Sequence, residues 1–134
     1  MSNCNAKKDL RPLSPHLTIY KPQITSVLSI THRFSGILLF IGVLVFCLWI
    51  FLNMYSSSSV FLQSFVASLF GKIILFGWSF AVYFHLYNGI RHLFWDIGKG
   101  YCLKTVTRSG IAVIIMTIIS VFLTWGIALG YILK

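Results

Sequence analysis

Two short stretches hold most of the side chains able to do chemistry. The first is Ser29, His32, Arg33 and Gly36, at spacings of three, four and seven residues, which is one face of a helix. The second is His85, Gly89, His92 and Asp96, at four, seven and eleven, again one face. Asn88 and Arg91 flank it. Both stretches adjoin long apolar runs, where an ionisable side chain is costly and marks a functional site by default. Gly36 and Gly89 would let something large and flat approach the backbone, or let two helices pack closely.

Each group has two readings. His85 lies well inside its run, between Phe84 and Leu86. It is either a core histidine hydrogen-bonded to another helix or an axial haem ligand through a ring nitrogen. His85 and His92 cannot both ligate one iron. They are about 10.5 Å apart along one face, whereas axial ligands approach a porphyrin from opposite sides. A bis-histidine site needs a second histidine from elsewhere. Within the chain the candidates are His32 and His16, neither expected at the depth of His85, so a histidine of a partner chain fits better. Two haems would need four histidines in the spans, and His16 lies outside them.

Arg33 and His32 either snorkel to the membrane interface or bind propionates or a polar ligand headgroup. The rigid donors of Arg suit carboxylates, and Ser29, one turn away, adds a hydroxyl. Asp96 ends its run, where its charge opposes the helix dipole, so it calls for a cation. Arg33, Arg91 and Lys99 are the available ones. Asp96 is then either half of a structural ion pair or part of a proton route.

The elements that must position these groups are set by composition. The chain has 134 residues, 57% hydrophobic and 10% charged. Ordinary soluble domains run near 45–50% apolar and about 25% charged. The mean hydropathy of +0.87 agrees. An ordinary soluble fold, intrinsic disorder and a collagen-like chain are excluded. The net charge of +9 comes from 11 Lys and Arg against Asp9 and Asp96. These cations are scattered, with no dense run, and so fit basic loops beside a lipid bilayer rather than nucleic acid. Cys4, Cys47 and Cys102 have no metal-site spacing, and Cys47 reads as a small hydrophobe.

The expected fold class is all-α: an integral membrane protein of three transmembrane helices in a single domain, residues 1–134. Residues 1–22 hold Pro12, Pro15 and Pro22 and read as an irregular interfacial segment, with Tyr20 as an anchor. Spans are expected at about 26–54, 66–95 and 109–133. A helix through the whole first run is near 30 residues, about 45 Å. That exceeds the ~30 Å hydrocarbon core, so its polar first turns would lie at headgroup level or in a protein site. Residues 53–59 read as a loop. The second span has its body at Ser68–Phe94, with the residues before it along the interface and Lys72 snorkelling. Residues 98–108 read as a basic loop, and the third span as uniformly apolar. Lys7, Lys8, Arg11 and Lys21 before the first span, with Lys99, Lys104 and Arg108 after the second, put the N-terminus in the cytoplasm or a mitochondrial matrix. The N-terminus carries no secretory signal or convincing transit peptide, which favours a bacterial inner membrane.

The two stretches resemble the signatures of one family. Arg11-Pro12-Leu13-Ser14-Pro15-His16-Leu17, then Tyr20-Lys21-Pro22 and Ser26-Val27-Leu28-Ser29-Ile30-Thr31-His32-Arg33-Phe34-Ser35-Gly36, are similar to the approach to the first span of cytochrome b membrane-anchor subunits of succinate dehydrogenase (complex II). His85-Leu86-Tyr87-Asn88-Gly89-Ile90-Arg91-His92-Leu93-Phe94-Trp95-Asp96-Ile97-Gly98 is similar to the second signature. Their order, their spacing, the three-span layout and the chain length fit as well.

The resemblance implies that His85 ligates one haem b, shared with a second, smaller membrane-anchor subunit. It implies that Ser29 and Arg33 line a ubiquinone site near the iron–sulfur subunit, with Asp96 close by, and that His32, Arg33 and His92 lie near the haem propionates. The flavoprotein subunit would complete the complex, which oxidises succinate and reduces ubiquinone. The chain has neither an iron–sulfur Cys cluster nor a dinucleotide fingerprint, so its electrons must come from a partner and it is not expected to oxidise succinate alone. Competing readings are an anchor of a fumarate reductase-type or other b-type quinone oxidoreductase, and a haem-free structural anchor whose polar stripes are helix–helix glue.

Overall fold

Backbone amides and carbonyls inside lipid have no water to bond, so an apolar run must satisfy them within itself, as a helix. A computed structural model of the chain describes residues 21–55 and 60–132. Residues 1–20 of the interfacial segment expected at 1–22, with Tyr20 and His16, and the serines at 56–59 lie outside the described residues. Four helices follow one another: α1 (Ile24–Tyr55), α2 (Val60–Ala67), α3 (Leu69–Asp96) and α4 (Leu103–Ile132). Three of them, α1, α3 and α4, are long and apolar enough to cross a membrane.

Helix α1 starts two residues after Pro22, which cannot sit in a helix interior, and runs 32 residues, about 48 Å. It continues through Asn53 to Tyr55, part of the stretch expected as loop. The side chain of Asn53 donates back to the Trp49 carbonyl, 2.7 Å. The second apolar run is broken at Ser68. That residue is extended (φ −66°, ψ 158°), and its hydroxyl accepts from the Gly71 amide at 3.1 Å. It therefore caps α3 and separates the short α2 from it.

The turn after α3 is tighter than expected. Gly98 (φ 78°) takes the left-handed conformation. Its amide bonds the Trp95 carbonyl at 2.8 Å, and the Lys99 amide bonds the Phe94 carbonyl at 3.0 Å. This is a Schellman closure, which glycine permits without strain. The chain re-enters helix at Leu103, so Lys104 and Arg108, expected in a loop, lie on the first turns of α4. A charged residue ends a hydropathic run but not a helix.

Helix α3 is central and packs against α1, α4 and α2. Leu28, Phe84 and Val113, one from each long helix, form the core cluster, with Ile24 and Tyr87 against it. Helix α4 is not uniformly bland, as its hydropathy suggests. Tyr83 bonds Thr124 at 2.7 Å, Tyr87 bonds Ser120 at 2.7 Å, and Trp125 donates to Ser79 at 3.3 Å. Hydroxyls hardly lower hydropathy, yet they supply interhelical bonds averaging about 0.6 kcal/mol each in membranes.

Gly42 of α1 lies directly against the Trp78 indole of α3, where a Cβ would overlap the ring. Gly42→Ala should therefore push the two helices apart or displace Trp78, at roughly 1–3 kcal/mol of overpacking. A lowered thermal midpoint of the assembled complex checks this; an unchanged midpoint would mean that Trp78 moves freely.

Candidate functional site

The two predicted stripes face each other across the α1–α3 contact. The rings of His32 and His85 stack at 4.0 Å between centroids and 11° between planes. His92 lies 5.2 Å from His32, tilted by 36°. Trp95 closes the row, edge-on to His92 at 5.1 Å. The three helical histidines thus form one continuous aromatic row between α1 and α3.

His32 stands at the depth of His85, contrary to the sequence expectation. Spacing along one helix fixes direction but not its axial register against another. The stacking still bars His32 as the second axial ligand. Two axial nitrogens must point at each other through the metal, whereas stacked rings present their faces.

Close packing of the two helices explains the row. A Cβ on Gly36 would stand 3.1 Å from the His85 Cε1, and one on Gly89 would stand 3.8 Å from the His32 Cε1. Gly36 therefore gives the His85 ring its room, whereas Gly89 merely permits ordinary contact.

The bonding of His85 fixes its tautomer. Ser35 is buried, and its hydroxyl donates to the His32 carbonyl at 2.7 Å. His85 Nδ1 lies 3.2 Å from that same carbonyl and 3.0 Å from Ser35 Oγ. A carbonyl only accepts, and the Ser35 proton is already committed to it. Nδ1 must therefore carry the ring proton, which leaves the lone pair on Nε2. No hydrogen bond engages Nε2 among the described residues, and it is not sealed inside the helix pair. A histidine held through Nδ1–H by a carbonyl, with Nε2 free, is oriented as metal-ligating histidines are.

The residues fit a haem with one ligand from this chain. A free Nε2 on a ring fixed between two helices would supply one nitrogen to such a haem's iron. The other must come from outside the described residues, because His32 is stacked and His92 shares the His85 face. His32 Nδ1 is buried without a partner. It is the site's one orphaned histidine nitrogen among the described residues, available to a proton or an acceptor.

The remaining predicted residues are less gathered. Ser29 is half-buried on α1. Arg33 and Asp96 are exposed, and neither makes an ion pair or hydrogen bond among the described residues. Of the two readings of Asp96, the ion pair with Arg33, Arg91 or Lys99 does not form there. Arg91 is instead turned toward α4. It donates to Ser109 Oγ at 3.1 Å, the Val106 carbonyl at 3.2 Å and Asn88 Oδ1 at 3.3 Å, with Trp95 4.1 Å beneath it. Asn88, fully buried, donates in turn to the Leu28 carbonyl of α1 at 3.2 Å.

Sequence reasoning placed Asn88 only as a flanking residue, and Arg91 as a flanking residue and a candidate partner of Asp96. They are the polar tie among the three long helices. It also passed over Ser35, whose signal was a hydroxyl three residues beyond His32 in an apolar setting.

Residues 7–124 match the family described as the succinate dehydrogenase/fumarate reductase transmembrane subunit. The chain is 47% identical over 115 residues to the succinate dehydrogenase cytochrome b556 subunit of Rickettsia bellii, covering 86% of this chain and 90% of that protein. It is 46% identical over 115 residues to the same subunit of Rickettsia prowazekii, with the same coverage. It is 40% identical over 114 residues to the mitochondrial succinate dehydrogenase cytochrome b560 subunit of Sus scrofa, covering 82% of this chain and 67% of that protein.

Proposed function

The chain belongs to the succinate dehydrogenase/fumarate reductase transmembrane subunit family, and from that premise we propose that it anchors a succinate:ubiquinone oxidoreductase, holds haem b on His85 and contributes to the quinone-reduction site. The observation that carries this reading is the tautomer of His85, with Nδ1–H held by the His32 carbonyl and Ser35 and the Nε2 lone pair free. The names of the relatives favour succinate oxidation over fumarate reduction.

A bound haem b supplies a one-electron carrier. The chain's own residues hold and orient. His85 would offer one nitrogen to the iron, and the family resemblance puts the second ligand on a smaller anchor subunit. Arg33 and His32 are the donors within reach of propionates, with His92 beside them in the row. The exposed guanidinium of Arg33 and the hydroxyl of Ser29, one turn earlier, are the donors for quinone carbonyl oxygens. Reducing a quinone also takes two protons. The exposed carboxylate of Asp96, which no cation holds among the described residues, would exchange them with water. Electrons come from succinate through a flavoprotein and an iron–sulfur subunit. The complex sits in a bacterial inner membrane with the N-terminus on the cytoplasmic side, a reading supported by the basic residues before α1 and after α3.

The test compares complexes with and without this chain. The soluble subunits alone should oxidise succinate with a dye acceptor but not with ubiquinone, and the purified chain alone should do neither. Succinate-dependent quinone reduction by the soluble subunits alone would overturn the anchor's role at the quinone. Faster turnover with a low-potential quinol and fumarate than with succinate and ubiquinone would favour a fumarate reductase.

The packing at Gly36 gives a graded prediction. With 3.1 Å available, Gly36→Ala should displace the His85 ring by a few tenths of an ångström, keeping haem with an altered absorption band. Gly36→Leu should lose most of the haem. Identical spectra for wild type and Gly36→Leu would show that His85 does not need this position.

A further inference from the structure

A second polar feature lies on the other side of α3. A cavity of about 360 Å³ opens between α3 and α4 near the turn that joins them. Arg91, Lys99 and Ser109 line it together with Phe94, Ala112 and Met116. Arg91 is only 6% exposed, and all of its partners are neutral: a serine, an asparagine, a backbone carbonyl and an indole. No carboxylate pairs with it among the described residues. A buried cation without a counter-charge is costly in a membrane and raises the potential of the space beside it.

Further cations gather at the same end. The Schellman closure at Gly98 brings Lys99 to the cavity. Thr105 and Ser109 of α4 line it, and Lys104 and Arg108 precede each of them by one residue. Among the described residues the chain has a single carboxylate side chain, Asp96, and it is exposed and outside the cavity lining. The walls away from these cations are apolar, with Phe94, Ala112 and Met116 among them.

We propose that the α3–α4 cavity binds an anionic phospholipid, its phosphate beside Lys99 and the start of α4 and part of one acyl chain against Phe94, Ala112 and Met116. Basic pockets between membrane helices suit such headgroups. A free phosphate would leave the apolar walls unused, and a zwitterionic lipid would bring its own cation to the basic end formed by Lys99 and the start of α4. The inference uses neither the haem nor the quinone assignment.

The experiment reconstitutes the whole complex in phosphatidylcholine vesicles. These carry either a phosphatidylglycerol or a phosphatidylcholine probe with a photoreactive acyl chain. Cross-links are mapped on α3 and α4, and succinate oxidation with a soluble acceptor reports assembly. The phosphatidylglycerol probe should label the Ala112–Met116 stretch about fivefold more than the phosphatidylcholine probe. The double substitution Lys99→Gln/Lys104→Gln should abolish the preference, and Ala112→Phe should reduce labelling by both probes. Equal labelling of the wild type by the two probes overturns the proposal. So does a preference that survives Lys99→Gln/Lys104→Gln, and so does displacement of the phosphatidylglycerol probe by inorganic phosphate, which would mark a free-anion site.

Discussion

Complexes carrying His85→Ala should purify without haem b while still oxidising succinate with a soluble acceptor. With His85 as a haem ligand, as proposed, its loss would remove the bond that holds the iron from this chain. The helix pair itself should survive. Ser35 keeps its bond to the His32 carbonyl when the imidazole is gone, so the deletion leaves no buried polar group newly unsatisfied between α1 and α3. His32 loses a stacking partner, worth about 0.5–1.5 kcal/mol for an aromatic pair, which is too little to dismantle a three-helix bundle. Added imidazole should restore part of the haem by filling the space that the side chain vacates. A haem spectrum unchanged from wild type would refute His85 as a ligand. Loss of haem together with loss of the soluble-acceptor reaction would point to failed assembly.

Replacing Arg33 by Ala should lower quinone reduction by about tenfold to a hundredfold while leaving electron transfer to a soluble acceptor within twofold of wild type. The range corresponds to a charge-assisted hydrogen bond of about 1.5–3 kcal/mol. Arg33 is exposed and without an ion pair or hydrogen bond among the described residues, so its donors are not consumed by the fold. For the same reason its removal should not loosen the helices. Arg33→Lys should recover only part of the activity, because a point charge cannot reproduce the planar fork. Equal losses with both acceptors would assign Arg33 to assembly instead.

The candidate site was legible in the sequence to the extent that helical periodicity is. Spacings of three, four and seven in Ser29–Gly36 and of four, seven and eleven in His85–Asp96 define two polar faces, and the helices present the histidines of those faces to each other. The relative height of the faces was not legible, since nothing in one helix encodes its axial register against another. That is why His32 was not expected beside His85.

The ion-pair reading of Asp96 rested on its charge opposing the helix dipole, with Arg91 as one of three candidate cations. Asp96 and Arg91 are five residues apart, which on a helix is nearly opposite sides, and Arg91 bonds α4 instead. Helix α4 read as featureless because serine and threonine scarcely change hydropathy. The basic stretch after α3 read as a loop because charge was taken as a helix boundary, although a helix emerging into water keeps its internal bonds with Lys104 and Arg108 on its surface.

The most direct measurement is a reduced-minus-oxidised optical spectrum of the intact complex purified through this chain, with haem quantified against subunit content. A free Nε2 on an oriented His85 predicts a low-spin b-type spectrum at about one haem per complex. A fully assembled complex that oxidises succinate and reduces quinone but contains no haem would contradict the account and return His85 to a purely structural role between α1 and α3.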